Sequence, residues 1–196
     1  MDREKEIKER LSAVMEQRFE ENAKRMEKYY HVHKKETDQD FYERITLLFD
    51  RVLEMQGRNT EKQAGYLRLA SLQSGAVTKT CEYQLAVYDQ NGYLDKEPCF
   101  VYWHPAHILR NVAGDLESFT QLIKKQMIRV RGYETDPIYS SYIRRHDQLA
   151  EDYFQAMVPE IVTMEKFREI RQADGFEIRS GAYGEVGRLL YKNRPE

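Results

Sequence analysis

Two histidines three residues apart stand in the most suggestive stretch of the chain, Trp103-His104-Pro105-Ala106-His107. On a helix, positions three apart share a face, and His-x-x-His is a spacing that can hold a metal ion. A catalytic zinc takes three protein ligands, however, and the sequence marks neither HExxH nor another third ligand. His31, His33 or Asp95 would complete a set only if the fold carried them close. No residue is therefore assigned as a metal ligand, and no cofactor is expected. The junction stays a candidate small-ligand or metal site built on Trp103, His104 and His107, with Tyr102 or Cys99 close by. Free amides at a helix N-terminus would also suit an anion there. In the plainer reading His104 caps the helix and His107 is an ordinary surface or half-buried ring.

Lys124, Lys125, Arg129 and Arg131, with Arg144 and Arg145 nearby and Tyr133, Tyr139 and Tyr142 between, form the best basic and aromatic cluster. Such a face can hold phosphates and stack bases. Acids surround it and the formal net charge of the whole chain is only -2. A solvated helix end is the plainer reading, and nucleic acid is not the expected partner. Arg144-Arg145-His146-Asp147 has the residue types of an acid/base dyad. On a helix, though, His146 falls on the apolar stripe while Asp147 points elsewhere, so a satisfied core histidine is expected. No GxSxG, Walker A or GxGxxG is present, and Gly181-Ala182-Tyr183-Gly184-Glu185-Val186-Gly187 has the wrong spacing for a phosphate loop. It reads as a mobile turn. No catalytic residue is assigned.

These side chains need elements to position them. From Glu82 to Trp103 the hydrophobic period drops to two: Tyr83, Leu85 and Val87 alternate with Glu82, Gln84 and Ala86. Asn91-Gly92 supplies residues that tolerate positive φ, as a type I′ turn requires. The return strand, about Cys99 to Trp103, is apolar on both faces and so is expected to be covered on both. Cys81 and Cys99 flank this hairpin without a CxxC spacing, which favours reduced thiols packed as small hydrophobes.

Around the hairpin the period is helical. Ile7, Leu11, Val14, Met15, Phe19, Ala23, Met26 and Tyr30 recur at threes and fours, predicting an amphipathic helix of roughly 40 Å. Thr37 or Asp38 caps a second helix through Phe41, Ile45, Leu48, Phe49 and Val52 to Gly57. Thr60-Glu61-Lys62-Gln63 is a capping-box pattern that predicts a third, ending at Gly75, in which Gly65 would admit a close backbone. Pro105 opens a helix from Ile108 to Val130, split at Gly114-Asp115. Asp136-Pro137 opens the next, with Pro159 kinking or restarting it before Gly175. Phe176 to Arg179 alternates and reads as a short strand, followed by a turn and a second strand or helical tail.

The expected fold is α+β and predominantly α-helical. Five to seven helices pack on a small antiparallel sheet nucleated by the hairpin at about 82–103, joined by a short strand at about 176–180. Residues 1–196 read as one domain, whose long helix over 1–35 projects, self-associates or lies along its own domain. Charged residues make up 33% of the chain, and no apolar run approaches the roughly 20 residues of a membrane span. The charged start, MDREKEIKER, is the reverse of a secretory signal, so a cytoplasmic location is expected. Fourteen tyrosines suit either a partner surface or a half-wet core. Strong structural signals without a catalytic constellation favour a non-catalytic interaction or scaffold domain, with a protein partner or self-contact through the N-terminal helix or a tyrosine patch.

Overall fold

The computed structural model describes residues 3–72 and 82–193. Its fold is α+β: a five-stranded sheet under helices, in the spatial order β3-β2-β1-β4-β5. The strands are β1 Ala64–Ser71, β2 Tyr83–Tyr88, β3 Cys99–Trp103, β4 Gln172–Ala182 and β5 Arg188–Lys192. Among the described residues there are four helices rather than five to seven: α1 Arg3–Arg58, α2 Val112–Gln126, α3 Gly132–Ile161 and α4 Glu165–Glu169, with a single helical turn at Ala106–Leu109. No helix among them is long and apolar enough to cross a membrane.

The predicted hairpin forms. Tyr83 pairs with Trp103, Leu85 with Val101 and Val87 with Cys99, antiparallel. Its connection is not a two-residue type I′ turn. Asn91 is right-handed (φ -80), only Gly92 is left-handed (φ 60), and Gly92–Leu94 forms a turn of 3-10 helix. The carboxylate of Asp95 holds this loop, accepting from the amides of Asp89 (2.8 Å) and Glu97 (2.9 Å) and from Lys62 Nζ (2.7 Å).

The third predicted helix is β1 instead. Leu67 and Leu69 pair with Val87 and Leu85 of β2, and with Ile178 and Ser180 of β4. Local capping chemistry at Thr60 to Gln63 lost to pairing on both edges and burial on both faces, since a strand in mid-sheet satisfies its backbone groups through its neighbours. The expectation at Gly65 holds despite the change of element: a Cβ there would sit 2.8 Å from the backbone of Asp89. Because β4 runs parallel to β1, the sheet is mixed, not purely antiparallel. Parallel neighbours need a long crossover, and here the crossover contains β2, β3 and the helices α2 to α4. The end of the predicted third helix at Gly75, and any pairing of Cys81 with Cys99, lie outside the described residues.

Two predicted helices merge into α1, which deviates from helical geometry only at His33 (φ -113, ψ 26). Asp38, expected as a cap, is buried and accepts hydrogen bonds from Tyr30 Oη (3.0 Å) and Tyr153 Oη (2.9 Å), and pairs with Lys34. The N-terminal part of α1 packs on the domain. Ile7 and Leu11 are fully buried, Glu16 takes a bidentate pair from Arg145 at 2.7 Å, and Asn22 and Tyr142 both donate to Asp115. Asp115 is thus inside α2 rather than capping it, and the break falls earlier, at Arg110-Asn111. α3 starts at Gly132, ahead of Asp136-Pro137, and runs past Pro159 to Ile161.

One face of the sheet carries Leu67, Leu69, Leu85, Val87, Val101, Trp103, Phe176 and Ile178, all buried in one core. Helices α1 and α3 roof it: Trp103 stacks on Tyr153 at 5.6 Å between ring centroids and meets Phe41 edge-on at 5.2 Å.

Candidate functional site

The Trp103 to His107 residues scatter. Trp103 is 1% exposed and points into the core, whereas Tyr102, on the opposite face of β3, is 49% exposed. Cys99 is half-buried at the far end of the same strand, where burial raises its thiol above the ordinary range. His104 is exposed. His107 is tucked against Tyr153 (5.0 Å) and Tyr30 (6.1 Å), and burial pushes its pKa down to about 4. Among the described residues no three His, Cys, Asp or Glu side chains converge as a metal site would need.

The basic residues separate as well. Lys124 and Lys125 end α2, and Arg129 (φ 57) and Arg131 lie in the connection to α3. Arg144 and Arg145 follow about 18 Å along α3. There they diverge: Arg145 lies over the Phe19 ring at 4.1 Å and pairs with Glu16, while Arg144 is exposed on another side of the helix. His146 is the expected core histidine, 1% exposed, with Nδ1 against the Tyr142 carbonyl at 3.1 Å. Its Nε2, however, has no hydrogen-bond partner among the described residues, and burial lowers its pKa.

The structure assembles a different candidate site. A cleft of about 600 Å³ opens where α3 crosses the end of the sheet. α3 contributes Ile143, Arg144, Asp147, Gln148 and Glu151, a spacing that puts all five on one helical face. The sheet contributes Ser71 and Leu72 at the carboxyl end of β1, Tyr83 at the start of β2, and Ser180 to Ala182 at the carboxyl end of β4. Parallel β1 and β4 both end here, and crevices at the carboxyl ends of parallel strands are where open sheets receive ligands.

On its core-facing side the sheet is apolar until these last positions, where it turns to hydroxyls. Ser71 pairs in register with Tyr83, and Ser180 lies opposite Leu69, so three adjacent strands offer Oγ, Oη and Oγ toward α3. Tyr83 Oη donates to Asp147 Oδ1 at 2.8 Å and Ser180 Oγ to Glu151 Oε2 at 3.1 Å. Burial pushes the Asp147 carboxyl up to about 6. The hydrogen bond from Tyr83 opposes that rise, the charge of Glu151 adds to it, and Ser71 and Arg144 pull it back. Glu151 is raised too, mainly by burial, with Ser180 acting against the rise and Asp152 with it. Glu82 and Glu185 are the other acids on the wall and Arg144 and Arg188 the bases.

Such a wall can hold a positively charged, hydrogen-bonding group, and a carboxyl near 6 can take up or release a proton close to neutrality. Asp147 is hard to single out from sequence because its adjacent neighbour His146 lies on another face of the helix. One signal was present: acids at i and i+4 repel on a helix, so Asp147 and Glu151 on one face cost stability unless something else uses them. In comparisons with known proteins the chain matches no family model, no curated protein and no solved structure, so the reading of this site stands on its geometry.

Proposed function

We propose that the chain is a small-ligand-binding domain whose ligand occupies the cleft between α3 and the carboxyl ends of β1 and β4, and that the ligand carries a cationic ammonium or guanidinium group. The observation that carries this reading is the pair Asp147 and Glu151, one turn apart, each partly desolvated and each oriented by a hydroxyl from the sheet. Burying carboxylates without full compensation is costly, and a cationic ligand supplies the missing partner. The surplus of acids over arginines on the wall favours the same sign of ligand. Agmatine and spermidine are suitable probes, titrated calorimetrically. Binding is expected at pH 7.5, weakening up to about tenfold per pH unit below about 6 as Asp147 takes up its proton. Equal affinity in Asp147→Asn would refute the assignment.

An interaction domain is the second reading. It is supported by Phe100 (38% exposed) and Tyr102 (49% exposed), neighbours on the outer face of edge strand β3 with ring centroids 5.7 Å apart. The partner would dock on side chains rather than extend the sheet, because Arg51 Nη1 already occupies the Phe100 carbonyl at 2.6 Å. Light scattering of the wild type and a Phe100→Ser, Tyr102→Ser double variant tests self-association by this face; two identical monomers would dismiss it.

A further inference from the structure

On the face of the sheet opposite the core, Arg68 of β1 lies in register with Arg179 of β4. Two arginines therefore occupy facing positions on neighbouring strands, a placement that like charges disfavour. Arg179 is compensated: its Nε donates to Glu177 at 2.6 Å and its Nη1 to the Gly187 carbonyl at 3.1 Å. Glu177 also serves Lys192 at 3.0 Å. Arg68 is not compensated. It is 7% exposed, yet among the described residues no carboxylate pairs with it. Its Nη2 donates to the Glu185 carbonyl at 2.6 Å, its guanidinium lies 4.8 Å from the centre of the Tyr93 ring, and its Nε has no partner.

A cavity of about 340 Å³ adjoins it, lined among others by Tyr66, Arg68, Gly92, Tyr93, Arg179 and Glu185. Glu185 is the one acid among its described lining residues. Of the four buried polar side-chain atoms without a hydrogen-bond partner among the described residues, two belong to this wall, Arg68 Nε and Tyr93 Oη. Buried charges in proteins are paired, and buried polar atoms are hydrogen-bonded. A buried guanidinium with an aromatic wall, a second arginine beside it and no counter-ion lacks one thing, an anion.

We propose that this cavity is a second binding site, separate from the α3 cleft, which takes an oxyanion carried on a planar ring: the oxyanion on Arg68 and Arg179, the ring against Tyr93 and Tyr66. Guanidinium groups match carboxylate and phosphate oxygens, and tyrosine faces accept flat rings. A phosphate ester and a carboxylate share this chemistry, so two probes distinguish them. Phenyl phosphate and benzoate are titrated calorimetrically into the whole chain in low-salt, phosphate-free buffer, with inorganic phosphate as the ringless control. At least one ring-bearing probe is expected to bind at least tenfold more tightly than inorganic phosphate, and the tighter of the two identifies the anion. Equal affinity for the control would overturn the role of the ring, and no binding by either probe would overturn the site. Arg68→Gln is expected to abolish binding while melting no lower than the wild type in anion-free buffer. A purely structural arginine would instead lower the melting temperature and leave the affinity of the folded fraction unchanged. Should Arg68→Gln not fold, Arg179→Gln decides: a loss of about tenfold is expected, and unchanged affinity overturns the proposal.

Discussion

Asp147 keeps its proton up to about pH 6 because burial between α3 and the sheet penalises its charge more than Tyr83 and Ser71 stabilise it. The sign for stability follows from linkage. The folded carboxyl binds its proton more tightly than the unfolded one at 3.8, so ionisation destabilises the fold at every pH above about 6, and the penalty fades between about 6 and 3.8. Asp147→Asn, which still accepts from Tyr83, is therefore expected to stabilise the protein by about 1–2 kcal/mol at pH 7.5, after allowance for solvent screening. Urea denaturation at pH 7.5 and pH 3.5 measures this, and an Asn variant less stable than wild type at pH 7.5 would contradict it. His146 acts in the opposite sense. Burial holds its folded pKa below the ordinary histidine value of 6.5, so the stability it contributes is complete above that pH and drains away as the solution becomes more acidic. His146→Phe removes the orphaned Nε2 and preserves the edge contacts with Phe19 and Tyr142. Its melting temperature is expected to fall less than that of wild type between pH 7 and pH 5. Parallel curves would show that His146 is not the group responsible.

Among the elements, α1 shows how a legible helix can take an unexpected role. Its stripe of Ile7, Leu11 and Met15 is buried by the protein's own core, and Arg3, Glu16 and Asn22 bond to residues of α2, α3 and their connection. Leu11→Ala is expected to cost about 3 kcal/mol, as a fully buried leucine in the domain core does. A cost near zero in chemical denaturation would mean that the N-terminal half is an appendage after all. Strand β1 carries a second test. Gly65→Ala would drive a methyl group into the backbone of Asp89 and Gln90, at 2.8 Å. A loss of about 1–3 kcal/mol is expected, the range for overpacking; an unchanged melting temperature would show that the loop yields freely.

For the whole molecule, the two cavities follow from the layering. Helices cover one face of a mixed sheet, and where α3 crosses the strand ends the core runs out and polar groups take over. The other face holds the Arg68 cavity, and the two cavities share only Glu185 among their described lining residues. If the α3 cleft binds a cation, the melting temperature should rise with spermidine at pH 7.5 and respond much less at pH 5. A response of the same size at both would place the binding elsewhere.

Local periodicity determined much of this. The alternation of Tyr83, Leu85 and Val87 specified β2, the apolar stripe that carries His146 specified α3, and Phe176 to Arg179 marked the centre of β4, because in each the spacing of apolar residues has only one geometry that buries them together. Only the tertiary structure decided β1, whose helix-capping signal at Thr60 is outweighed by pairing with strands both before and after the helices. It also decided the fusion of α1 through His33 and the pairing of Asp147 and Glu151 with hydroxyls from three strands. These depend on contacts between residues far apart in the chain, and no local pattern records the free energy of closing such loops.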